Sequence, residues 1–587
     1  MKVRGTVQGL IANLVQVKPD GPVRQNEICY LQAGEDLLMG EIIKISGEIA
    51  FVQVYDSTRG VRIGAEVNFT GDLLEVTLGP GMLGKKYDGL QSDLDAHEGT
   101  FLLRGMRSPA LDVHQKWDFR PLVQTGSMVS AGAWLGEITE NGLPHKIMAP
   151  FSMEGQGKIA EIKPAGEYKA ADTVAEIIMT DGRKHAVTMV STWPSKLALK
   201  AYGRKIRPFK MLETGIRTID TVHPMLEGGT GFIPGPFGCG KTVLQQAIAK
   251  QAKADIVVIA ACGERANEVV EIFTEFPELD DPATGRKLIE RTIIIANTSS
   301  MPVAAREASV YTAMTICEYY RNMGLRVLLL ADSTSRWAQA LREMSNRMED
   351  LPGPDAFPMD LTATIAAFYA RAGYVELTNG KQGSITFIGT VSPAGGNLKE
   401  PVTEATKKAA RCFYALSQRR ADSKRYPAVD PIDSYSKYLE YPEFRDYMNE
   451  HVSTRWIAHA NEIKNILLRG KEAADQINIL GDDGVSIDYH MQFWKSELLD
   501  FILLQQDAFD EVDMFCSVTR QEFMADLLLQ ICQTEYHFDH FSEVRPFFRK
   551  MINSLKQLNY AIFESPGFNR ILEEVRSMAI QPAEKSI

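Results

Sequence analysis

The sequence has few cysteines and no long apolar run. These two features argue against a metal-binding or disulfide-bonded framework and against a membrane-spanning segment. Its seven cysteines lie at positions 29, 239, 262, 317, 412, 516 and 532 and form no C-x-x-C pair. This spacing excludes the usual zinc motifs and predicts reduced thiols rather than a disulfide framework. No stretch reaches the roughly 18 consecutive apolar residues that a membrane-spanning helix needs, so we expect no membrane span.

Positive charge is also in short supply. The chain has 64 Lys and Arg against 75 Asp and Glu, for a net charge of -11. This balance does not favour nonspecific nucleic-acid binding, so nucleic acid is not an expected partner. The opening residues "MKVRGTVQGLIANLVQV" lack the charged-then-apolar pattern of a secretory signal, which predicts a cytoplasmic protein. The 587 residues, 45% of them apolar, suffice for about four globular domains.

The first 200 residues are typical of β structure. Residues 1–75 hold short, β-branched segments broken by Gly and Asp, which predict an N-terminal β-barrel. In the connecting region 76–200, the stretches 126–138 and 166–177 echo each other and predict an inserted β module over 110–185. The pattern resembles biotinyl- and lipoyl-carrier sandwiches. The lysine that such carriers modify is missing from "IMAPFSMEG", so we expect a module without a prosthetic group.

The rest of the chain alternates strands with helices and then becomes helical. Over 201–435, nearly continuous apolar segments alternate with helical patterns, as expected of a parallel sheet covered on both faces. This predicts a βαβ series and an α/β domain, which the phosphate-binding motif described next makes a P-loop (RecA-like) nucleotide-binding domain. Over 436–587, apolar residues recur at three- and four-residue spacing and predict a C-terminal helical domain. The four predicted parallel strands are 255–263, 292–296, 326–332 and 384–391.

The segment "GPFGCGKT" fits the phosphate-binding pattern G-x-x-x-x-G-K-[ST]. Its glycines let backbone N–H groups surround phosphate oxygens, and the helix that follows adds the positive end of its dipole. In this pattern the lysine reaches the β- and γ-phosphates and the hydroxyl ligates Mg²⁺. A strand should precede the loop, and "GTGFIPG" is a short candidate. The predicted nucleotide-binding residues are Gly235, Pro236, Phe237, Gly238, Cys239, Gly240, Lys241 and Thr242.

Two predicted strands end in carboxylates. Asp332 closes "RVLLLAD" and is a candidate for the Mg²⁺-side carboxylate of P-loop proteins. Glu264 ends "DIVVIAACGE" and is placed to orient and deprotonate an attacking water. Its neighbour Arg265 then either holds Glu264 in place or contacts phosphate. Spacing alone leaves open that Glu264 and Arg265 are a surface pair that caps the next helix.

Longer motifs resemble a known family. The segments "GPFGCGKT", "CGERANEV", "NTSSMPVAAREASVYT", "LLLADSTSRWAQALREMS", "RYPAVDPIDSYSKY" and "LQQDAFDEVDMFCS" are similar to the catalytic A subunit of V-type and archaeal-type rotary ATPases. The extra β module after the barrel is a further likeness. The resemblance runs over nearly the whole chain. Within the family, we place this chain in a divergent bacterial branch. One segment, "DAFPMDLTATIAAFYARAG", departs from the family's usual pattern in a region expected near a subunit interface.

The resemblance implies a function and a set of partners. It implies Mg-ATP hydrolysis or synthesis coupled to H⁺ or Na⁺ transport, with Glu264 activating the water, Lys241 and Arg265 on phosphate, and Tyr426 and Phe509 around adenine. It implies a B-type subunit that supplies an arginine finger in an alternating hexamer. Central and peripheral stalk subunits and a separate membrane sector would complete the assembly, placing the chain on the cytoplasmic side of the cell membrane.

Two alternatives remain at this point. Another hexameric P-loop ATPase, of the export-apparatus or helicase type, would carry the same phosphate loop. A noncatalytic nucleotide-binding subunit would be expected to have a degraded loop or to lack the glutamate after the second strand. The loop and Glu264 are both intact in this sequence, which favours a catalytic subunit.

Overall fold

The computed structural model describes residues 3–96, 105, 107–236, 238–282, 284–299 and 301–580. These residues form two compact units. The first unit comprises Met1–Arg207, Ala254–Val391 and Glu404–Ala409, and the second comprises Pro208–Lys253, Ser392–Thr403 and Ala410–Ile587.

The first unit begins with a closed six-stranded barrel. Buried and more exposed side chains alternate along its strands: Val15 and Val17 are fully buried inside the barrel, whereas the intervening Gln16 is only half-buried. The first strand pairs antiparallel with both the second and the sixth, so the sheet closes on itself. The predicted N-terminal barrel is confirmed. Its strands are β1 (Arg4–Ile11), β2 (Leu14–Pro19), β3 (Glu27–Ala33), β4 (Asp36–Ser46), β5 (Ile49–Val54) and β6 (Glu66–Leu73), followed by β7 (Glu75–Leu78) and β8 (Lys86–Tyr87).

An inserted β module follows the barrel. Two four-stranded sheets build it, and Leu135, Ile159 and Ile177 are fully buried in its core. Both echoing stretches form strand–turn–strand units, as predicted. The strands are β9 (Lys116–Pro121), β10 (Met128–Ser130), β11 (Trp134–Glu140), β12 (Leu143–Met148), β13 (Gln156–Ile162), β14 (Gly166–Lys169), β15 (Ala175–Met179) and β16 (Lys184–Val187).

The remaining strands include a parallel sheet. They are β17 (Ser191–Pro194), β18 (Arg204–Ile206), β19 (Thr230–Pro234), β20 (Ile256–Glu264), β21 (Thr292–Thr298), β22 (Arg326–Asp332), β23 (Gly373–Glu376), β24 (Gln382–Val391), β25 (Cys412–Phe413) and β26 (Tyr435–Ser436). In the first unit the order β24-β22-β20-β21-β8 is parallel throughout. All four strands predicted for this sheet are present. The two-residue β8, at its edge, had no signal in the sequence.

Helices cover the sheet and dominate the second unit. The helix α3 is nearly all buried, which is why its sequence lacks a polar face. In the second unit, Leu467, Leu503, Leu528 and Leu555 share one apolar core. The helices are α1 (Lys241–Gln251), α2 (Ala266–Glu275), α3 (Val303–Arg321), α4 (Thr334–Arg347), α5 (Leu361–Tyr369), α6 (Pro401–Ala409), α7 (Gln418–Asp422), α8 (Pro442–His451), α9 (Trp456–Leu480), α10 (Ile487–Leu499), α11 (Val518–Gln533), α12 (Phe541–Tyr560) and α13 (Pro566–Ile580).

This architecture matches the predicted fold class. The chain has an N-terminal β-barrel, an inserted β module, a central α/β region and a C-terminal helical region. The four boundaries proposed from the sequence stay predictions. Among the described residues, no helix is both long and apolar enough to cross a membrane.

Candidate active site

The predicted phosphate loop lies in the second unit, between β19 and α1. The strand "TGFIP" precedes it, so the short candidate strand is real. Gly238 and Gly240 have φ of +84° and +82°, a conformation that a side chain would strain. Gly240 is also the residue from which α1 begins, so the helix presents its positive end to the loop. Phe237 lies outside the described residues.

Lys241 is held over the loop that precedes it. Its ammonium Nζ donates to the carbonyl oxygen of Gly235 at 2.8 Å and approaches that of Pro236 at 3.4 Å. These contacts place a positive charge at the turn rather than out in solvent. Thr242 follows it in the first turn of α1. A cation and a helix N-terminus at one loop form a site for a polyanion.

Cys239 has a packing role in the loop. Its thiol is almost fully buried and donates to Oε1 of Gln418, with Sγ 3.2 Å from the oxygen. Burial raises the pKa of this thiol, so it stays protonated near neutral pH. A thiol rather than a thiolate is what a loop designed for phosphate requires, because a second anion there would repel the ligand.

A cavity of about 530 Å³ adjoins the loop within the second unit. This volume is in the range that small-molecule and nucleotide ligands fill. Gly238, Cys239 and Gly240 line one part, and Tyr426 and Phe509 line another. The sequence-predicted aromatics and the loop glycines therefore share one cavity. The other predicted loop residues, Gly235, Pro236, Lys241 and Thr242, are not part of its lining.

The two aromatics differ in how they are held. The Tyr426 ring lies beside Gly240, 3.7 Å from where a β-carbon on that glycine would sit. Tyr426 is 43% exposed and Phe509 is 88% exposed, although both are large apolar side chains. Exposed aromatic faces at a cavity mouth are available to stack on a planar ligand.

Arg217 fixes the loop that carries Phe509. Its guanidinium Nη1 donates to Oδ1 of Asp513 at 2.5 Å, and its Nη2 donates to the carbonyl oxygen of Gln505. Asp513 also accepts from the backbone N–H of Asp507 at 2.7 Å. Both Arg217 and Asp513 are buried. The exposed Phe509 therefore projects from a segment that is tied down at its base.

Part of the lining of this cavity had no signal in the sequence. Lys556, Asn559 and Tyr560 on α12 line it, as does Gln505. The sequence of α12 shows an amphipathic helix, and nothing in that pattern separates a face that packs on a core from one that borders a ligand.

The two predicted carboxylates lie at the carboxyl edge of the parallel sheet in the first unit. In the register of β20 and β22, Ala261 pairs with Asp332, and Glu264 is the last residue of β20. Gly263 has φ of +74°, and a β-carbon there would lie 2.6 Å from Cδ of Arg306. Only glycine fits this position, and the register of β20 against β21 shifts there, between Cys262 and Glu264.

Asp332 is oriented by its neighbour on β24. The hydroxyl of Thr390 donates to Oδ1 of Asp332 at 2.6 Å, and the aspartate is only 7% exposed. Arg265, in contrast, is exposed and precedes the first residue of α2. The sheet thus presents one fixed carboxylate at the end of β22, and the Glu264–Arg265 pair at the end of the neighbouring strand β20.

Glu264 has a raised pKa in this environment. Burial disfavours its charged form, and the nearby carboxylates of Asp332 and Glu268 raise the pKa further. A hydrogen bond from Ser333 acts in the opposite direction. A carboxyl group whose pKa lies above its ordinary value is suited to exchange protons near neutral pH.

Comparison with known proteins identifies the family of the chain. Four family models match: the ATP synthase alpha/beta family β-barrel domain over 8–71, the barrel-sandwich domain over 108–196, the nucleotide-binding domain over 215–436, and the C-terminal domain of V and A type ATP synthase over 445–537. The predicted inserted β module is thus a barrel-sandwich domain of this family.

Bacterial relatives match over nearly their whole length. A protein of Treponema denticola is 48% identical over 97% of this chain and 95% of its own length. Proteins of Borrelia recurrentis and Protochlamydia amoebophila are 47% and 45% identical, over 97% and 100% of this chain and 97% and 98% of their own lengths. Each is named V-type ATP synthase alpha chain. The resemblance noted in the sequence is therefore confirmed, and the chain belongs to the family of V-type ATP synthase alpha chains, the ATP-binding catalytic subunits of multisubunit rotary complexes that couple ATP hydrolysis or synthesis to ion transport across a membrane.

Proposed function

We propose that this chain binds Mg-ATP with its phosphates on the loop Gly235–Thr242 and its base in the adjoining cavity, and catalyses in-line attack of water on the γ-phosphate or the reverse reaction. The observation that carries the proposal is the single cavity that the loop glycines share with Tyr426 and Phe509. A phosphate loop alone serves many functions, whereas a loop joined to an aromatic-lined cavity suits a nucleoside triphosphate.

The phosphate end relies on charge and backbone N–H groups. Lys241 contacts the terminal phosphates by exchanging its bonds to the carbonyl oxygens of Gly235 and Pro236 for phosphate oxygens. Charge-assisted hydrogen bonds of this kind are about twice as strong as neutral ones. Residues 238–242 include no proline, so each has a backbone N–H group that can donate to a phosphate oxygen at the start of α1.

The base end relies on stacking. Tyr426 contacts the loop through Gly240, so a base bound against its ring lies close to the phosphate site. Phe509 closes the opposite side in this proposal. Its ring is highly exposed, and a stacked base would bury apolar ring surface.

Thr242 and Asp332 are the proposed Mg²⁺-side residues. Both offer oxygen ligands, the type that Mg²⁺ prefers, and the hydrogen bond from Thr390 fixes the orientation of the Asp332 carboxylate. Among the described residues no cluster of three or more His, Cys, Asp and Glu could hold a metal by itself. Mg²⁺ bound mainly by phosphates and water needs no such cluster, and when bound it offsets charge on the transferring phosphoryl group.

Glu264 is the proposed general base. In its ionised form it accepts a proton from the attacking water, and in synthesis it returns that proton. Its raised pKa makes both directions feasible near neutral pH. Arg265 is the proposed phosphate contact beside it. Arg265 is exposed and directly precedes α2, next to Glu264 in the chain.

The partners proposed are those of an alternating ring. A B-type subunit contributes an arginine finger, so no arginine of this chain is assigned that role. Central and peripheral stalk subunits transmit rotation to a membrane sector that carries H⁺ or Na⁺. The chain itself works on the cytoplasmic face of the cell membrane as a peripheral component.

The test is to purify the chain alone and with its B-type partner, and to measure Mg-ATP hydrolysis of each. We expect substantial turnover only in the mixed complex, because the chain alone lacks the arginine finger. A fully active hexamer made of this chain alone would overturn the partner assignment and favour a single-chain ring ATPase.

A further inference from the structure

The strand β20 has a bulge one residue before its end. Cys262 pairs with Asn297 of β21, and Glu264, two positions on, pairs with Thr298, the very next residue of β21. Gly263 is therefore an extra residue in β20, which makes this stretch a β-bulge. Bulges are common next to active sites, where they change the direction of a side chain.

The bulge decides which face of the sheet Glu264 occupies. Side chains alternate along a strand, and residues paired across parallel strands share a face. Cys262 faces α3, because Oγ of Ser309 on that helix lies 3.7 Å from its Sγ. Without the extra residue, Glu264 would share that face. With it, Glu264 shares the opposite face with Ala261, and Ala261 pairs with Asp332 of β22. The bulge therefore brings the two carboxylates of the proposed site to one face.

Two arginines occupy the space beside the extra glycine. A β-carbon on Gly263 would lie 2.6 Å from Cδ and 3.3 Å from Cγ of Arg306, the fourth residue of α3. It would lie 3.0 Å from Cβ of Arg336, on α4. Arg336 makes this contact with an atom that every residue except glycine has. Arg306 makes it with its side-chain stem, which a shorter residue would not supply.

The charged end of Arg306 has weaker contacts than its stem. Its Nη1 lies 3.8 Å from Oε1 of Glu343, and its Nε has no hydrogen-bond partner among the residues that the structure describes. Glu343 is shared with Arg347, whose Nη2 lies 3.7 Å from Oε2 of the glutamate. The side chain of Arg306 is nevertheless only 11% exposed. Packing of the stem on the glycine turn is therefore the main contact of Arg306 at this edge of the sheet.

We propose that Arg306 is a positioning residue for Glu264. Its stem packs on the bulge at Gly263 and keeps the bulge in place, so that Glu264 stays on the face of Asp332. The inference rests on the proposed function, in which Glu264 is the general base. Arg306 touches no substrate in this role. Its methylene groups matter and its charge does not, which separates it from a phosphate-binding arginine.

The experiment measures steady-state ATP hydrolysis by the assembled complex for three variants of Arg306. Arg306→Ala removes the stem, so kcat should fall about 100-fold, as it does when a catalytic group is displaced, while KM for ATP changes less than about threefold. Arg306→Met and Arg306→Lys keep a stem of similar reach and should retain most of the wild-type kcat. Arg347→Ala is the matched control and should keep kcat, because Arg347 shares Glu343 but supplies none of the three atoms nearest to the β-carbon position of Gly263.

Several outcomes would overturn the inference. One is wild-type kcat in Arg306→Ala, and another is a loss that appears only in KM. An Arg306→Met variant as slow as Arg306→Ala would show that the stem is not what matters. An equal loss in Arg347→Ala would assign the effect to the ion cluster around Glu343.

A second substitution keeps the inference testable if Arg306→Ala does not assemble. In Gly263→Ala the new methyl group must displace Cδ of Arg306, so kcat should again fall about 100-fold, and wild-type kcat would contradict the inference. Failure of the proposed function looks different, because Glu264→Gln would then keep wild-type turnover whatever the Arg306 variants do.

Discussion

Thr390 and Asp332 are joined by a short hydrogen bond between neighbouring parallel strands, with Oγ1 of the threonine 2.6 Å from Oδ1 of the aspartate. The bond fixes the orientation of the carboxylate. It also makes the threonine, which touches no substrate in the proposed mechanism, a positioning residue for the Mg²⁺ side of the site.

The first prediction concerns Thr390→Val. Removing the hydroxyl should raise the Mg²⁺ concentration for half-maximal ATP hydrolysis about tenfold, as is typical when a partner of a metal-side ligand is lost. Hydrolysis by the assembled complex, titrated with Mg²⁺, measures it. Thr390→Ser keeps a hydroxyl and should restore much of the wild-type response. A Mg²⁺ titration identical to wild type in Thr390→Val would remove Thr390 from this role.

The second prediction concerns Glu264→Gln. Nucleotide binding should persist, while turnover in the assembled complex falls about 10² to 10⁴-fold, the usual contribution of a general base. The control is Glu275→Gln, because Glu275 is exposed at the far end of the following helix and should leave turnover unchanged. Wild-type turnover in Glu264→Gln would show that another group activates the water.

The third prediction concerns Lys241→Ala. Loss of the ammonium should weaken ATP binding about 10 to 100-fold, as expected for hydrogen bonds from a charged donor. Calorimetry on the full-length chain measures the affinity. Lys253→Ala, two residues beyond α1, is the control and should bind ATP normally. Equal affinities in the two variants would contradict the phosphate-loop assignment.

The fourth prediction uses pH. Glu264 must be ionised to accept a proton, so kcat/KM falls as the pH drops through its pKa, which burial and nearby carboxylates hold above the ordinary value. Glu268→Gln removes one of these carboxylates and should lower the pKa of Glu264. The acidic limb of the kcat/KM profile should then move to lower pH. A shift to higher pH, or none, would count against Glu264 as the titrating group.

Part of the fold and of the candidate site could be predicted from the sequence. The strand ends at Glu264 and Asp332 were predictable because buried parallel strands are continuous apolar runs, and the residue that follows such a run marks the edge of the sheet. The phosphate loop was predictable because glycine and lysine spacing reports backbone geometry directly. The four strands of the sheet and the fold class were confirmed by the structure.

Other parts of the site left no local signal. Asn559 lies 317 positions after Thr242 (559 minus 242) and borders the same cavity as the phosphate loop. The partnership of Arg217 with Asp513 spans a comparable distance in the chain. Contacts of this kind depend on how helices pack in three dimensions, and periodicity within one helix does not encode its neighbours. Tyr426 and Phe509 were reached through family resemblance, because an isolated aromatic is more often a core residue.

The fifth prediction tests that long-range pairing. Asp513→Asn leaves the buried guanidinium of Arg217 without its counter-charge, which should destabilise the folded chain by about 3 to 5 kcal/mol. Denaturant unfolding followed in the helical region measures the loss. The pair Arg455–Asp526 is the control: Arg455 is 62% exposed, so Asp526→Asn should cost less than about 1 kcal/mol. Equal losses of unfolding free energy in the two variants would show that the buried Arg217–Asp513 pair contributes no more to stability than the exposed pair.

The closure of the N-terminal barrel restricts how another protein can recognise it. Within residues 4–73, β1 bonds to both β2 and β6, so the sheet ends where it begins and exposes no strand edge. A neighbouring chain therefore cannot extend this sheet with a strand of its own. A neighbour could recognise this barrel only through the side chains on its outer surface and through its turns.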